Sequence, residues 1–184
     1  MPGPAVDAAA RTAGADESWY QQVSTQMERD EYKASLNTLG LQAPNRAQNL
    51  RTYFRDGGIE VVPRESEGEA EGGWRFTWQT AHWGRPGRLD AFEDVVKPTA
   101  QGPRVSYEHS GLTEWYENGK DGLEQGFTVD ARPEGKGPLC LAGRLGGTLR
   151  ADLADDGAVD LFDPDGARVL RYGELHVWDA NGVE

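Results

Sequence analysis

Glu114, directly before Trp115 and Tyr116, is the residue whose type and neighbours come nearest to a reaction. Glycoside hydrolysis sets two carboxyl groups across a sugar linkage, and aromatic rings make natural platforms for the sugar itself. Glu114 is then the candidate acid. Its partner carboxylate cannot be picked out, because 31 Asp and Glu place some acid beside an aromatic ring by chance. A carbohydrate site without catalysis would use the same rings, above all Trp83 and whichever of Trp115 and Tyr116 faces outward. Core packing is the commoner use of such side chains. After Pro44, the stretch Asn45-Arg46-Ala47-Gln48-Asn49 is rich in amides. Asn45 and Arg46 are therefore candidate contacts for a polar ligand, set against the more ordinary role of tying down loop backbone.

Other arrangements carry less. An EF-type calcium loop needs Asp or Asn at positions one, three and five, Gly at six and Glu at twelve. Centred on Gly166, the first and twelfth positions fall on Leu161 and Tyr172; centred on Gly157, the third falls on Ala154. Both frames fail, and the Asp-Gly pairs read as tight turns. His82, His109 and His176 lie in three separate alternating stretches, without the spacing that zinc ligands show, and each is expected half-exposed. Cys140, between Leu139 and Leu141, is expected to be a buried thiol, whereas a nucleophile needs a thiolate. Neither a metal nor a cofactor is expected, and no enzymatic activity is assigned.

The chain has 184 residues, a formal charge of −12 and a pI near 4.7. Such a surface repels phosphate backbones, so nucleic acid is not an expected partner. No apolar run is long enough to span a bilayer as a helix. One cysteine cannot close an intrachain disulfide, so stability must come from the core. Leu, Ile, Val and Phe make up only about 18% of the residues, a level at which charged chains tend to disorder. Six Trp and six Tyr offset this, because each ring buries roughly 150–250 Å².

The elements that would position these residues follow from periodicity. Residues 1–17 hold no aromatic side chain and read as a flexible tail, without the charged start and apolar stretch of a secretory signal. Ser18 and Gln21 have capping-box form, and Trp19, Val23 and Met27 recur every four residues, predicting a short helix over 18–29. Tyr32, Ala34 and Leu36 alternate as in a strand over 31–38. Residues 50–63 form a hairpin about Asp56-Gly57-Gly58. The segment 65–73, with four Glu, is an acidic surface loop. Trp74, Phe76, Trp78, Thr80 and His82 then share one face of a strand, with Arg75, Thr77, Gln79 and Ala81 on the other. A corner at 84–87 and a Pro-bounded loop at 98–103 precede a second hairpin, 105–116, about Ser110-Gly111. Asn118-Gly119 and Asp121-Gly122 supply another reversal. Short runs at 139–145, 148–153, 158–163, 167–172 and 175–178 complete the pattern. Strands spaced near ten residues, with no helices between them, predict a single all-β domain over 18–184: antiparallel, sandwich-like, with one short N-terminal helix.

Four strings together carry a resemblance: QAPNRAQNLRTYF at 42–54, IEVVPR at 59–64, LTEWYENGKDGLEQGFTV at 112–129 and VLRYGELHVWDANG at 169–182. They resemble the N-terminal module of large exported bacterial proteins that carry FG-GAP or related β-propeller repeats. The resemblance runs from about Tyr32 to Gly182 and implies an extracellular or periplasmic β module that supports or caps the repeats. Its partners would be a protein or glycan at the cell exterior, with downstream propeller repeats in cis. No catalytic residue carries over. The family's module usually continues beyond Trp178-Asp179, so the resemblance also implies that this chain is a fragment or a short paralogue. The expected function is therefore a non-catalytic extracellular β module mediating protein or glycan interaction. The alternative is a glycoside hydrolase or carbohydrate-binding module built on Glu114 and exposed Trp and Tyr.

Overall fold

A computed structural model describes residues 19, 31–64, 73–92 and 94–184. The tail at 1–17, the helix over 18–29 apart from Trp19, and the acidic loop apart from Gly73 lie outside the described residues. Every strand pair among the described residues is antiparallel.

The first sheet is a meander. Ser35–Asn37 (β1), Gly40–Asn45 (β2), Leu50–Arg55 (β3), Gly58–Pro63 (β4) and Phe76–Arg85 (β5) pair in chain order, and Arg88–Ala91 (β6) returns along the far end of β5. The hairpin about Asp56-Gly57 forms as its sequence predicts: Arg55 pairs with Gly58, and Gly57 takes a φ of 82° that a side chain would strain. The expected strand over 31–38 shrinks to the three exposed residues of β1. Ala34 instead donates its N–H to the carbonyl of Gly102, 3.0 Å away.

A second sheet covers the first. Thr99–Gln101 (β7), Arg104–His109 (β8), Leu112–Gly119 (β9) and Gly122–Val129 (β10) run in the order β10-β9-β8-β7. The segment at 98–103, expected as a loop, thus contains β7, which reverses through Gly102 at φ 63°. Between β9 and β10 the reversal is at Lys120-Asp121, because Gly119 pairs with Gly122. Cys140–Gly147 (β11) then crosses back to the first sheet and pairs with β5. Arg150–Leu153 (β12), Val159–Phe162 (β13) and Arg168–Tyr172 (β14) form a three-stranded meander of their own. It packs against the first sheet: Tyr172 stacks on Trp78 of β5 at 6.4 Å and 22°, and Leu170 reaches the core. Residues 175–178, expected as a fifth strand, form none, because no ladder among the described residues pairs with them.

The core lies between the sheets and contains Ala43, Leu50, Phe54, Ile59, Val61, Val105, Tyr107 and Tyr116. Aromatic rings carry much of it. Phe54 and Tyr107 both meet the Tyr116 ring edge-on, at 5.9 and 6.1 Å. The Tyr107 hydroxyl lies 2.7 Å from the carbonyl oxygen of Gly58 and 3.0 Å from that of Arg55, satisfying the β3–β4 turn from beneath.

One irregularity decides which rings face in. Along β5 the sequence places the even positions inward. Across the strand, His82 pairs with Ala142 while Thr80 pairs with Gly143, which leaves Ala81 as an extra residue. Such a bulge reverses the alternation beyond it. Ala81 and Trp83 are consequently buried, and His82 is half-buried.

The β5–β11 pair is packed tightly enough to test. A Cβ added at Gly143 would sit 2.2 Å from Cζ2 of Trp78. Gly119 takes no positive φ, and a Cβ there meets nothing within 4 Å. Gly143→Ala should destabilise the protein by about 1–3 kcal/mol in urea unfolding, the usual range for overpacking. Gly119→Ala should be neutral or slightly stabilising. Equal behaviour of the two variants would contradict this packing.

Candidate functional site

Antiparallel register puts directly opposed residues on one face of a sheet. On β9 the inward set is Leu112, Glu114, Tyr116 and Asn118, all buried. Tyr107 lies opposite Glu114 on one side and Phe127 on the other; Val105 and Gln125 flank Tyr116 in the same way. The candidate acid therefore points into the sandwich, with Glu114 only 1% exposed.

A buried carboxylate must be hydrogen-bonded or neutralised. The Tyr116 hydroxyl donates to Glu114 Oε1 at 2.5 Å and Gln125 Nε2 donates to the same oxygen at 2.6 Å. Gln125 Nε2 also donates to the Tyr116 hydroxyl at 2.9 Å, closing a triangle. His109 Nε2 stands 3.5 Å from Glu114 Oε2, an ion-pair distance, and neither ring nitrogen of His109 has a hydrogen-bond partner among the described residues. Phe92 packs on the His109 ring at 4.1 Å. Burial pushes the Glu114 pKa up, but His109, Tyr116, Thr80 and Gln125 together outweigh it and hold the carboxyl below the usual range. Burial and the neighbouring Glu114 charge push the Tyr116 hydroxyl well above its ordinary value. This arrangement stores a charge inside a sheet pair. With Oε1 doubly bonded and both oxygens buried, Glu114 has no exposed face to offer a glycosidic oxygen.

The other sequence candidates are also used internally. Trp83, expected to face outward, is turned inward by the bulge and packs over Gly111, where an added Cβ would lie 3.0 Å from its ring. Tyr116 is buried. Trp115 is the ring that faces outward from β9, yet it lies across Gly126, with its Nε1 donating to Thr128 at 3.3 Å and Arg104 stacked 3.9 Å above it. Asn45 is fully buried and donates to Asn118 Oδ1 at 2.9 Å and the Gly119 carbonyl at 2.7 Å, while accepting the Gln48 N–H at 3.0 Å. It joins the β2–β3 turn to the β9–β10 turn. Arg46 alone is openly exposed, 3.8 Å from Glu31.

The three histidines end up in three environments: His82 half-buried, His109 buried rather than half-exposed, and His176 exposed. Cys140 is half-buried rather than enclosed, with Leu139 and Leu141 exposed on either side of it. Among the described residues no three His, Cys, Asp or Glu side chains are grouped to hold a metal ion.

Two surface features go beyond the sequence-based expectations. The first is a cleft of about 410 Å³ on the outer face of β4, β5 and β11, bordered by Arg55, Glu60, Arg75, Thr77, Gln79 and Arg144. These residues come from three segments far apart in the chain, and no local spacing relates them. The second is a turn used three times. Ala154 N–H bonds to the Ala158 carbonyl and Gly157 N–H to the Ala154 carbonyl, at 2.8 and 3.0 Å; the same pair recurs over 163–167 at 2.9 and 3.1 Å and over 179–183 at 2.9 and 3.0 Å. Asp163 and Asp179 each also accept the N–H four residues on, from Ala167 and Val183. The first two copies join β12 to β13 and β13 to β14. The Asp-Gly pairs at 156–157 and 165–166 read as turns in sequence, and Gly182 marks the third copy of the same hydrogen-bond pattern.

Comparison with protein-family models, curated proteins and solved structures finds no match to this chain.

The Glu114 network has a pH signature. A carboxyl whose pKa is lower folded than unfolded stabilises the fold fully above the unfolded value of about 4.3 and loses that contribution as pH falls towards the folded value. Glu114→Gln should therefore unfold at lower urea concentration at pH 7, by about 1–3 kcal/mol, and should lose stability less steeply than the parent below pH 4. Asp156 and Asp179, also held low, remain in both proteins, so the difference in slope isolates Glu114. Parallel pH curves would remove the buried charge from this account.

Proposed function

We propose that this chain is a non-catalytic β module that docks against further β-hairpin units, supporting or capping a repeat-built protein at the bacterial cell exterior. The observation that carries this reading is the third hairpin turn. Asp179–Val183 folds with the same hydrogen bonds as the two turns inside the meander, yet the arm that leads into it, 175–178, pairs with no strand among the described residues.

That arm has the residue alternation of a strand. Leu175 and Val177 are 88% and 66% exposed, and the rings of His176 and Trp178 stack at 5.6 Å. Extended backbone with open N–H and C=O groups recruits another strand, and alternating side chains set the register. Leu153, at the end of β12, is 78% exposed. Apolar side chains left open by one repeat unit are what the next unit covers in stacked architectures. The likeness of residues 42–54, 59–64, 112–129 and 169–182 to the N-terminal module of exported FG-GAP repeat proteins supports the same role and the exterior location. The enclosure of Glu114 supports the absence of catalysis.

The test is a fusion to an array of FG-GAP-type repeats placed after Glu184. The module should melt several degrees higher in the fusion than alone, since about 1 kcal/mol of coupling moves Tm by roughly 2–4 °C at this size. Leu175→Asp combined with Val177→Asp should abolish the coupling while leaving the Tm of the isolated module within about 2 °C, because both side chains are exposed. Identical melting of the module, fused or free, would defeat the docking role.

A further inference from the structure

The cleft on the outer face of the first sheet concentrates positive charge on a protein of net charge −12. Arg55 and Arg75 both lean on Glu60, at 3.0 and 3.9 Å, so one carboxylate is shared by two guanidinium groups. Arg144, paired across the ladder with Gln79, has no hydrogen bond or ion pair from its side chain among the described residues. With Asp56 at the lip, three arginines face two acids. Arg144 thus presents an uncommitted planar fork of N–H donors, the geometry that grips a carboxylate through two parallel hydrogen bonds.

The surroundings define the rest of the ligand. Thr77 and Gln79 alternate on the outward face of β5, and Glu60 and Gly146 both lie opposite Thr77 in the neighbouring strands. Hydroxyl, amide and carboxylate groups side by side suit a scaffold rich in hydroxyls. Glycines keep parts of the cleft tight: a Cβ at Gly58 would come within 2.3 Å of the Trp78 carbonyl oxygen, and one at Gly146 within 2.6 Å of Thr77 Oγ1. About 410 Å³ is within the range of small-molecule sites.

We infer that this cleft binds an acidic saccharide, its carboxylate held by Arg144 and its hydroxyls by Thr77, Gln79 and Glu60. The site is separate from residues 175–178 and does not depend on the docking role. A peptide carboxylate shares the anionic group but would leave Thr77, Gln79 and Glu60 without hydroxyls to meet.

Titration calorimetry and amide chemical shifts would test this with an oligogalacturonide, its methyl-esterified form, the neutral galactose oligomer and a peptide with a free C-terminus. The acidic oligosaccharide should bind at least tenfold more tightly than the other three, shifting the amides of Gly58, Thr77, Gln79 and Gly146. Arg144→Ala should weaken it tenfold or more with Tm unchanged; Arg132→Ala, which removes an exposed charge elsewhere, should not. Equal affinity for the esterified or neutral sugar would overturn the inference. So would preference for the peptide, indifference to Arg144→Ala, or no binding at all.

Discussion

A negative charge sealed between two sheets is the constraint around which the sandwich is arranged. Glu114 occupies an inward position of β9 because its strand alternates, and a carboxylate there is tolerable only if partners surround it. Those partners come from elsewhere: Gln125 from the next strand, Tyr116 from two residues along, His109 diagonally across β8, and Thr80 from the facing sheet. The demand for hydrogen bonds therefore dictates how β9, β10 and the first sheet meet. A purely aliphatic interior would have left that register freer, since apolar contacts are non-directional.

The same principle recurs at the far end of β9. Asn118 donates to the carbonyls of Pro44 and Tyr32 and accepts from Asn45, whose amide also reaches Gly119. Backbone groups that the turns leave unpaired are thus answered by buried amides from the opposite sheet. In a chain poor in aliphatic side chains, directional polar contacts and ring edges share the task that Leu and Ile perform elsewhere. The Tyr107 hydroxyl under the β3–β4 turn belongs to this economy as well. What remains for the surface is correspondingly simple: an arginine-lined cleft outside the first sheet and an open strand-like arm after the meander.

Much of the architecture was legible residue by residue. Asp56-Gly57 and Ser110-Gly111 announced their hairpins because few residues tolerate the turn geometry. The even-numbered aromatics of β5 announced a half-buried strand as far as Thr80. Beyond it the prediction for Trp83 failed, because the extra residue at Ala81 is defined by pairing with β11, about sixty residues away. Residues 175–178 alternate as a strand should, yet strand structure requires a partner's hydrogen bonds and not alternation alone. The candidate ligand residues Glu114, Tyr116 and Asn45 stand out by their chemistry, and that chemistry is spent inside the fold.

By itself, then, the order of residues determined the class: short extended runs, tight Gly-bearing reversals and acidic character, all of which depend on each residue's own backbone preferences and charge. Only tertiary structure decided which polar groups face inward and which arginines converge. Sidedness depends on bulges and cross-strand register, and these are properties of pairs of strands that no single stretch of chain contains.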